Sequence, residues 1–258
     1  MMRHLLGMTA FSFAAGVAGE AIAGGFDNGL RIEAEAGAVW QSRNDARSPA
    51  TARDGLPQGT RFSLHDLQGS GPAPHLRLSA AYTWSEKHQV YGLYAPLTIN
   101  GTGAFDSPIS FQGTTFVAGT PTRGRYRFDS YRIGYRYRLF DDTAWQVWAG
   151  VTLKIRDANI ALSQGPLAAN RANTGPVPLL NLYATRKLSD RWRAILDVEG
   201  LAAPQGRAID VALKVRYQLN DGVGLSAGYR MLEGGADNDK VYTFAWLHYG
   251  VLAFDYAF

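Results

Sequence analysis

Arg132, Arg136 and Arg138 are spaced so that an extended chain places all three guanidinium groups on one face. Such a row can bind an anion or be neutralised by carboxylates. Phase-matched carboxylates occur at Glu33, Glu35, Asp197, Glu199 and Asp210, and further cations at Arg31, Arg77, Lys154, Arg156, Arg193, Lys214, Arg216 and Arg230. Cations outnumber anions, so an ion-paired cluster with residual positive charge is expected. A second candidate is the acidic run from Glu233 to Asp239, where Asp237 and Asp239 offer oxygen ligands to calcium. It lacks full EF-hand spacing, and an ordinary solvated turn explains it better. His248 could act as a general acid or base only with a serine or carboxylate in reach. No such partner lies beside it in sequence. The chain has no cysteine, which excludes thiolate metal sites and disulfide-stapled modules. No cofactor motif is present.

The elements that must position these groups are strands. Four short polar breaks, Ser85-Glu86-Lys87, Asp141-Asp142-Thr143, Ser189-Asp190-Arg191 and Asn220-Asp221-Gly222, read as tight hairpins. They alternate with connections that are mostly longer: Ser42 to Pro74, Gly101 to Gly124, Ser163 to Gly175, Ala202 to Gly206 and Glu233 to Lys240. Four turns and five loops imply about ten antiparallel strands. Eight remain if the short fourth loop is a bulge, and twelve if Phe111 to Phe116 forms its own hairpin. Period-two alternation places Leu76, Leu78, Tyr82 and Trp84 on one face of the second strand. The same holds for Tyr131, Ile133, Tyr135, Tyr137 and Leu139 in the fourth. The charged residues named above fall on the opposite faces.

The chain finishes Leu252-Ala253-Phe254-Asp255-Tyr256-Ala257-Phe258, with large apolar residues on one face and small or acidic ones on the other. This ending resembles the C-terminal signature strand of bacterial outer-membrane β-barrel proteins. The resemblance implies that Tyr256 and Phe258 form a signature read by the barrel-assembly machinery. Tyr82, Trp84, Tyr137, Trp145, Trp192, Tyr217, Tyr256 and Phe258 all fall close to the short turns or the terminus. Amphipathic rings collect at membrane interfaces, so they form an expected lower girdle. A soluble β-sandwich has no reason to ring one end with exposed aromatics. In a barrel the polar face lines the lumen, and closure satisfies every backbone group within the bilayer.

Residues 1–23 read as a secretory signal peptide: Arg3, an apolar stretch from Leu5 to Val17, and Ala21-Ile22-Ala23 as a small-x-small cleavage site. Residues 24–258 then form a single barrel domain, exported to a Gram-negative outer membrane. The net charge of +4 is spread along the strands, which argues against nucleic acid as a partner. The expected partners are outer-membrane lipid, lipopolysaccharide, the assembly machinery and small anionic solutes. The function expected first is structural or porin-like, permeation or binding of small anions. The alternative is a lipid- or peptide-modifying enzyme with its site near the extracellular rim. The pattern of omptin-type proteases is not met: Asp237-Asn238-Asp239 has the form of their Asp-x-Asp pair, but Asp-x-His occurs nowhere.

Overall fold

Period-two alternation runs through nearly every segment between turns, and the chain answers it with strands. The structure is a computed structural model that describes residues 28–258, so the expected signal peptide lies outside the described residues. The elements in chain order are β1 (Gly29–Arg47), β2 (Phe62–Ser63), α1 (Leu64–Gln68), β3 (Ala73–Trp84), β4 (His88–Ala95), β5 (Thr98–Gly103), β6 (Ile109–Phe111) and β7 (Thr114–Phe116). There follow β8 (Thr122–Asp141), β9 (Trp145–Gln164), β10 (Leu167–Lys187), β11 (Trp192–Ala203), β12 (Gly206–Gln218), β13 (Val223–Asn238) and β14 (Val241–Ala257). Among the described residues, β1, β3, β4 and β8 to β14 pair antiparallel in order, and β14 pairs back onto β1 to close a ten-stranded barrel. The seam runs from Arg31 opposite Ala257 to Arg47 opposite Tyr242. Closure removes sheet edges, which is what a bilayer demands of strands.

The wall is inverted relative to a soluble protein. Ile133, Val151, Leu180, Leu213 and Leu252 are exposed on the outside, while Arg77, Arg132, Lys214, Arg216 and Glu35 are buried inside. The outward face of β8 marks where the apolar belt stops. It reads Tyr131, Ile133, Tyr135, Tyr137 and Leu139 on one side of the boundary, then Arg123, Arg125, Arg127 and Asp129 on the other. At that border Arg127 Nη2 meets both carboxylate oxygens of Asp157, at 2.8 and 2.9 Å. The expected lower girdle is present: Tyr82, Trp84, Tyr137, Trp145, Trp192, Tyr256 and Phe258 are exposed. Tyr217 is half-buried and packs on Trp192 with ring centroids 4.8 Å apart.

The four short breaks are turns, as their side chains dictate. Asp142 Oδ1 accepts from the backbone N–H of Ala144 and Trp145, both at 2.7 Å. Asn220 Oδ1 does the same for Gly222 and Val223. Ser85 and Glu86 adopt left-handed conformations, as the central residues of the turn that Lys87 N–H closes onto the Trp84 carbonyl.

Three expected connections are corrected. Ser163 to Gly175, Ala202 to Gly206 and Glu233 to Lys240 are mostly strand and turn at Gly165-Pro166, Pro204-Gln205 and Asp239-Lys240. Their polar and small residues mark wall standing beyond the apolar belt, which a polarity criterion reads as loop. β9 has 20 residues, where roughly 9–11 suffice to cross. The Phe111 to Phe116 segment does form a hairpin, β6 with β7, but as a separate two-stranded sheet, so the wall keeps ten strands.

The two long connections that remain fold inward. α1, the β6–β7 hairpin and their flanks bury Phe62, Leu64, Leu67, Phe105, Phe111 and Phe116 against the upper wall residues Leu247 and Leu162. Phe62 meets Phe105 and Phe111 edge-on at 5.7 and 5.4 Å. Ser63 caps α1 by accepting from Asp66 N–H at 3.0 Å. This apolar insert occupies one side of the barrel mouth.

Candidate functional site

Cross-lumen ion pairs occupy mid-height. Asp210 on β12 accepts from Arg132 Nη2 of β8 at 2.7 Å, Arg77 Nη1 of β3 at 3.3 Å and Arg230 Nη1 of β13 at 2.6 Å. In a ten-stranded ring, β3 and β8 each lie four strands from β12, so these bonds tie nearly opposite walls together. Glu35 on β1 accepts from Arg230 Nε at 3.1 Å and Lys214 Nζ at 3.2 Å, and meets His75 Nε2 at 3.1 Å. Lys214 also reaches Glu33 at 2.6 Å. Glu199 accepts from Arg132, Tyr91, Thr152 and Asn181. A buried charge must be paired and hydrogen-bonded. Here each carboxylate is.

A second layer lies towards the short turns. Arg216 donates from Nε and Nη2 to the two oxygens of Asp255, both at 2.7 Å, and Arg31 stands 3.5 Å from the same carboxylate. Arg136 stacks between Tyr91 and Tyr183, its guanidinium 4.1 and 4.5 Å from their ring centroids, and Asp197 lies 3.9 Å away. Arg138 sits over Trp148 and pairs with Asp141. Gly134 makes this layer possible, since a Cβ there would lie 2.3 Å from the Tyr91 ring.

The lumen charges form an ion-pair plug. Glu199 and Asp197 of β11 and Asp210 of β12 meet Arg132 and Arg136 of β8, and Arg77, Lys214 and Arg230 of β3, β12 and β13 join them, while Lys154 and Arg156 of β9 form no carboxylate bridge among the described residues. His75, Tyr91 and Asp255 escaped the sequence reading. Asp255 was legible, because it alternates with Phe254 and Tyr256 and must face inward. Tyr91 and His75 were not, because aromatic and imidazole rings occur on either face.

Above the plug the lumen opens into a cavity of about 440 Å³ that runs from Arg132 and Asp210 up to the tip residues Gln205 and Lys240. Its walls are apolar at Tyr126, Phe128, Leu179 and Leu232, and basic at Lys154, Arg156 and Arg171. Lys154 is only 3% exposed, has no carboxylate within 4 Å among the described residues, and rests its ammonium 4.6 Å from the Phe128 ring centroid. Arg156 donates to Asn173 instead of to an acid.

Asp237 and Asp239 lie at the β13–β14 tip. Asp237 pairs in the ladder opposite Tyr242, and the Asp239 backbone carbonyl accepts from Thr51. Among the described residues, no group of three or more metal-ligating side chains occurs. His248 does have a partner from another strand: its Nε2 lies 2.9 Å from Ser42 Oγ and its Nδ1 2.5 Å from Tyr229 Oη, on the outward face.

No protein-family model and no curated protein matches the chain. Solved structures do. The outer-membrane protease OmpT from Escherichia coli superposes with a TM-score of 0.55 at 7% identity, covering 90% of this chain and 97% of that one. The β domain of the Bordetella autotransporter BrkA gives 0.48 at 13% identity, with 90% and 100% covered. The translocator domain of the autotransporter NalP from Neisseria meningitidis gives 0.42 at 14%, with 90% and 89% covered. The chain has the fold of bacterial outer-membrane β-barrels, and its exposed apolar belt is that of a barrel seated in a membrane.

Proposed function

We propose that this barrel binds an anion-bearing ligand in the outer half of its lumen and does not conduct ions through it. The carrying observation is Lys154, whose buried amino group has no carboxylate within 4 Å among the described residues, beside an apolar and basic cavity of ligand-binding size. Below it, Asp210, Glu35 and Glu199 cross-brace the walls where a permeating ion would have to pass. Of the two expected anion roles, permeation and binding, these observations favour binding. The setting that goes with it is an outer membrane reached by export, with cleavage of residues 1–23, contact with lipopolysaccharide, and insertion by the assembly machinery through the strand ending at Phe258.

The test has two arms. Full-length protein in detergent micelles is titrated calorimetrically with benzoate, whose ring and carboxylate match the apolar and basic walls. Binding is expected to weaken on the order of tenfold or more in Lys154→Met, about 1.4 kcal/mol per decade. In planar bilayers the same protein is expected to give no stable conductance steps. Binding indifferent to Lys154→Met, or steady ohmic conductance, would overturn the reading.

A further inference from the structure

The outer wall carries a polar constellation that the lumen reading does not use. On β1 the register jumps from Gln41 opposite Leu247 to Arg43 opposite Trp246, so Ser42 is a bulged residue. Bulges re-aim side chains, and here both Ser42 and Arg43 leave the buried set while Gln41 and Asn44 remain in it. Ser42 Oγ lies 2.9 Å from His248 Nε2, and His248 Nδ1 lies 2.5 Å from Tyr229 Oη. The other acceptor near the Ser42 hydroxyl, the Trp246 carbonyl, is farther at 3.4 Å. If Nδ1–H is donated to Tyr229, Nε2 is left with its lone pair facing the serine. That is the arrangement of a hydroxyl nucleophile, its base, and a group that orients the base.

Depth supplies the substrate. His248 lies ten positions before Phe258, about 33 Å along a strand. At a tilt of about 35–45° this climbs about 25 Å, the height of the apolar band. With Phe258 in the lower girdle, His248 stands at the outer interface, flanked by exposed Trp40 and Trp246. There the ester carbonyls of outer-leaflet lipids sit, with acyl chains below and headgroups above. Beyond this level the same face carries Arg43, Arg47, Arg61 and Arg207, set over Tyr242 and Phe244, against the acids Asp45 and Glu233.

We propose that Ser42 and His248 form an esterase site on the outer wall, positioned by Tyr229, that cleaves an acyl ester of an anionic outer-leaflet lipid. Ser42 Oγ bonds to the carbonyl carbon while its proton passes to His248 Nε2. The carbon–oxygen bond to the lipid alcohol then breaks, and that oxygen leaves with the proton from His248. Water, deprotonated by His248, attacks the acyl-serine; the fatty acid departs, and the proton returns to Ser42. No cofactor is needed for the balance.

The whole protein in micelles would be exposed to a fluorophosphonate probe and, separately, to phosphatidylglycerol and to lipopolysaccharide, with released fatty acid read by mass spectrometry. Covalent labelling at Ser42 is expected, together with release from at least one lipid; which lipid is cleaved identifies the headgroup. Ser42→Ala and His248→Gln are expected to lower release on the order of a hundredfold or more. Tyr229→Phe is expected to lower kcat with KM little changed, as befits a positioning residue. The heat-dependent shift of the folded barrel on gels verifies that each variant is assembled. An unlabelled Ser42, no release from either lipid, or release equal in assembled Ser42→Ala would overturn the proposal. None of these outcomes bears on benzoate binding in the lumen.

Discussion

At the scale of single residues, a side chain's worth here depends on which side of the wall it faces. Asp210 accepts from three arginines, Arg77 and Arg132 across the lumen and Arg230 of the neighbouring strand. Removing it strands positive charge in a buried site, and breaking a buried pair in this way costs about 3–5 kcal/mol. Asp210→Ala is expected to lower stability by that order in urea titrations of the folded barrel in micelles. Asp190→Ala, which removes an exposed partner of Lys187 at a short turn, is expected to fall within about 0.5 kcal/mol of the parent. Equal effects would refute the plug as a structural brace. The carboxylates of the plug were legible from alternation alone. Their individual partners were not, because alternation says that a group faces inward and nothing about which strand stands opposite.

At the scale of elements, β8 shows how one strand is written for three environments. Its inward face carries Arg132, Arg136 and Arg138, its outward face is apolar from Tyr131 to Leu139, and beyond Asp129 that face turns charged. Ile133 is 59% exposed, yet its surroundings are lipid. Ile133→Arg is expected to destabilise the barrel by about 2–4 kcal/mol, as charges near the bilayer midplane do. Arg125→Ile, beyond the belt on the same face, is expected to change stability by less than about 0.5 kcal/mol. Unfolding from lipid vesicles measures both, and a tolerated Ile133→Arg would show that this face meets water. Strand existence and facing were readable in this segment. The outer ends of β10 and β13 were not, because above the belt both of their faces are polar or small and the periodicity that marks a strand fades.

At the scale of the molecule, closure is the decisive event. The seam places Ala36 opposite Leu252, and the chain has no cysteine of its own. Facing residues on antiparallel strands have Cα atoms about 4.5–5.5 Å apart, within disulfide reach. The double variant Ala36→Cys, Leu252→Cys is expected to form one intramolecular disulfide, seen as a mobility shift on unfolded, non-reducing gels that reductant abolishes. Absence of that cross-link in assembled protein would contradict closure between the first and last strands. The same closure brings Ser42, Tyr229 and His248 together, since they belong to β1, β13 and β14.

By itself the sequence determined most of each wall strand, the inward and outward faces, the short turns, the aromatic girdle and a count of about ten, which closure of the last strand onto the first fixed at ten. These depend on local chemistry, namely alternation, turn propensity and the partition of rings at an interface. Only the tertiary structure decided which lumen charges meet, that Lys154 is left beside a cavity, that the long connections fold into the mouth, and that His248 finds a serine. Each depends on which strands face one another around a closed ring. That relation joins residues up to about 200 positions apart, beyond the reach of any local pattern.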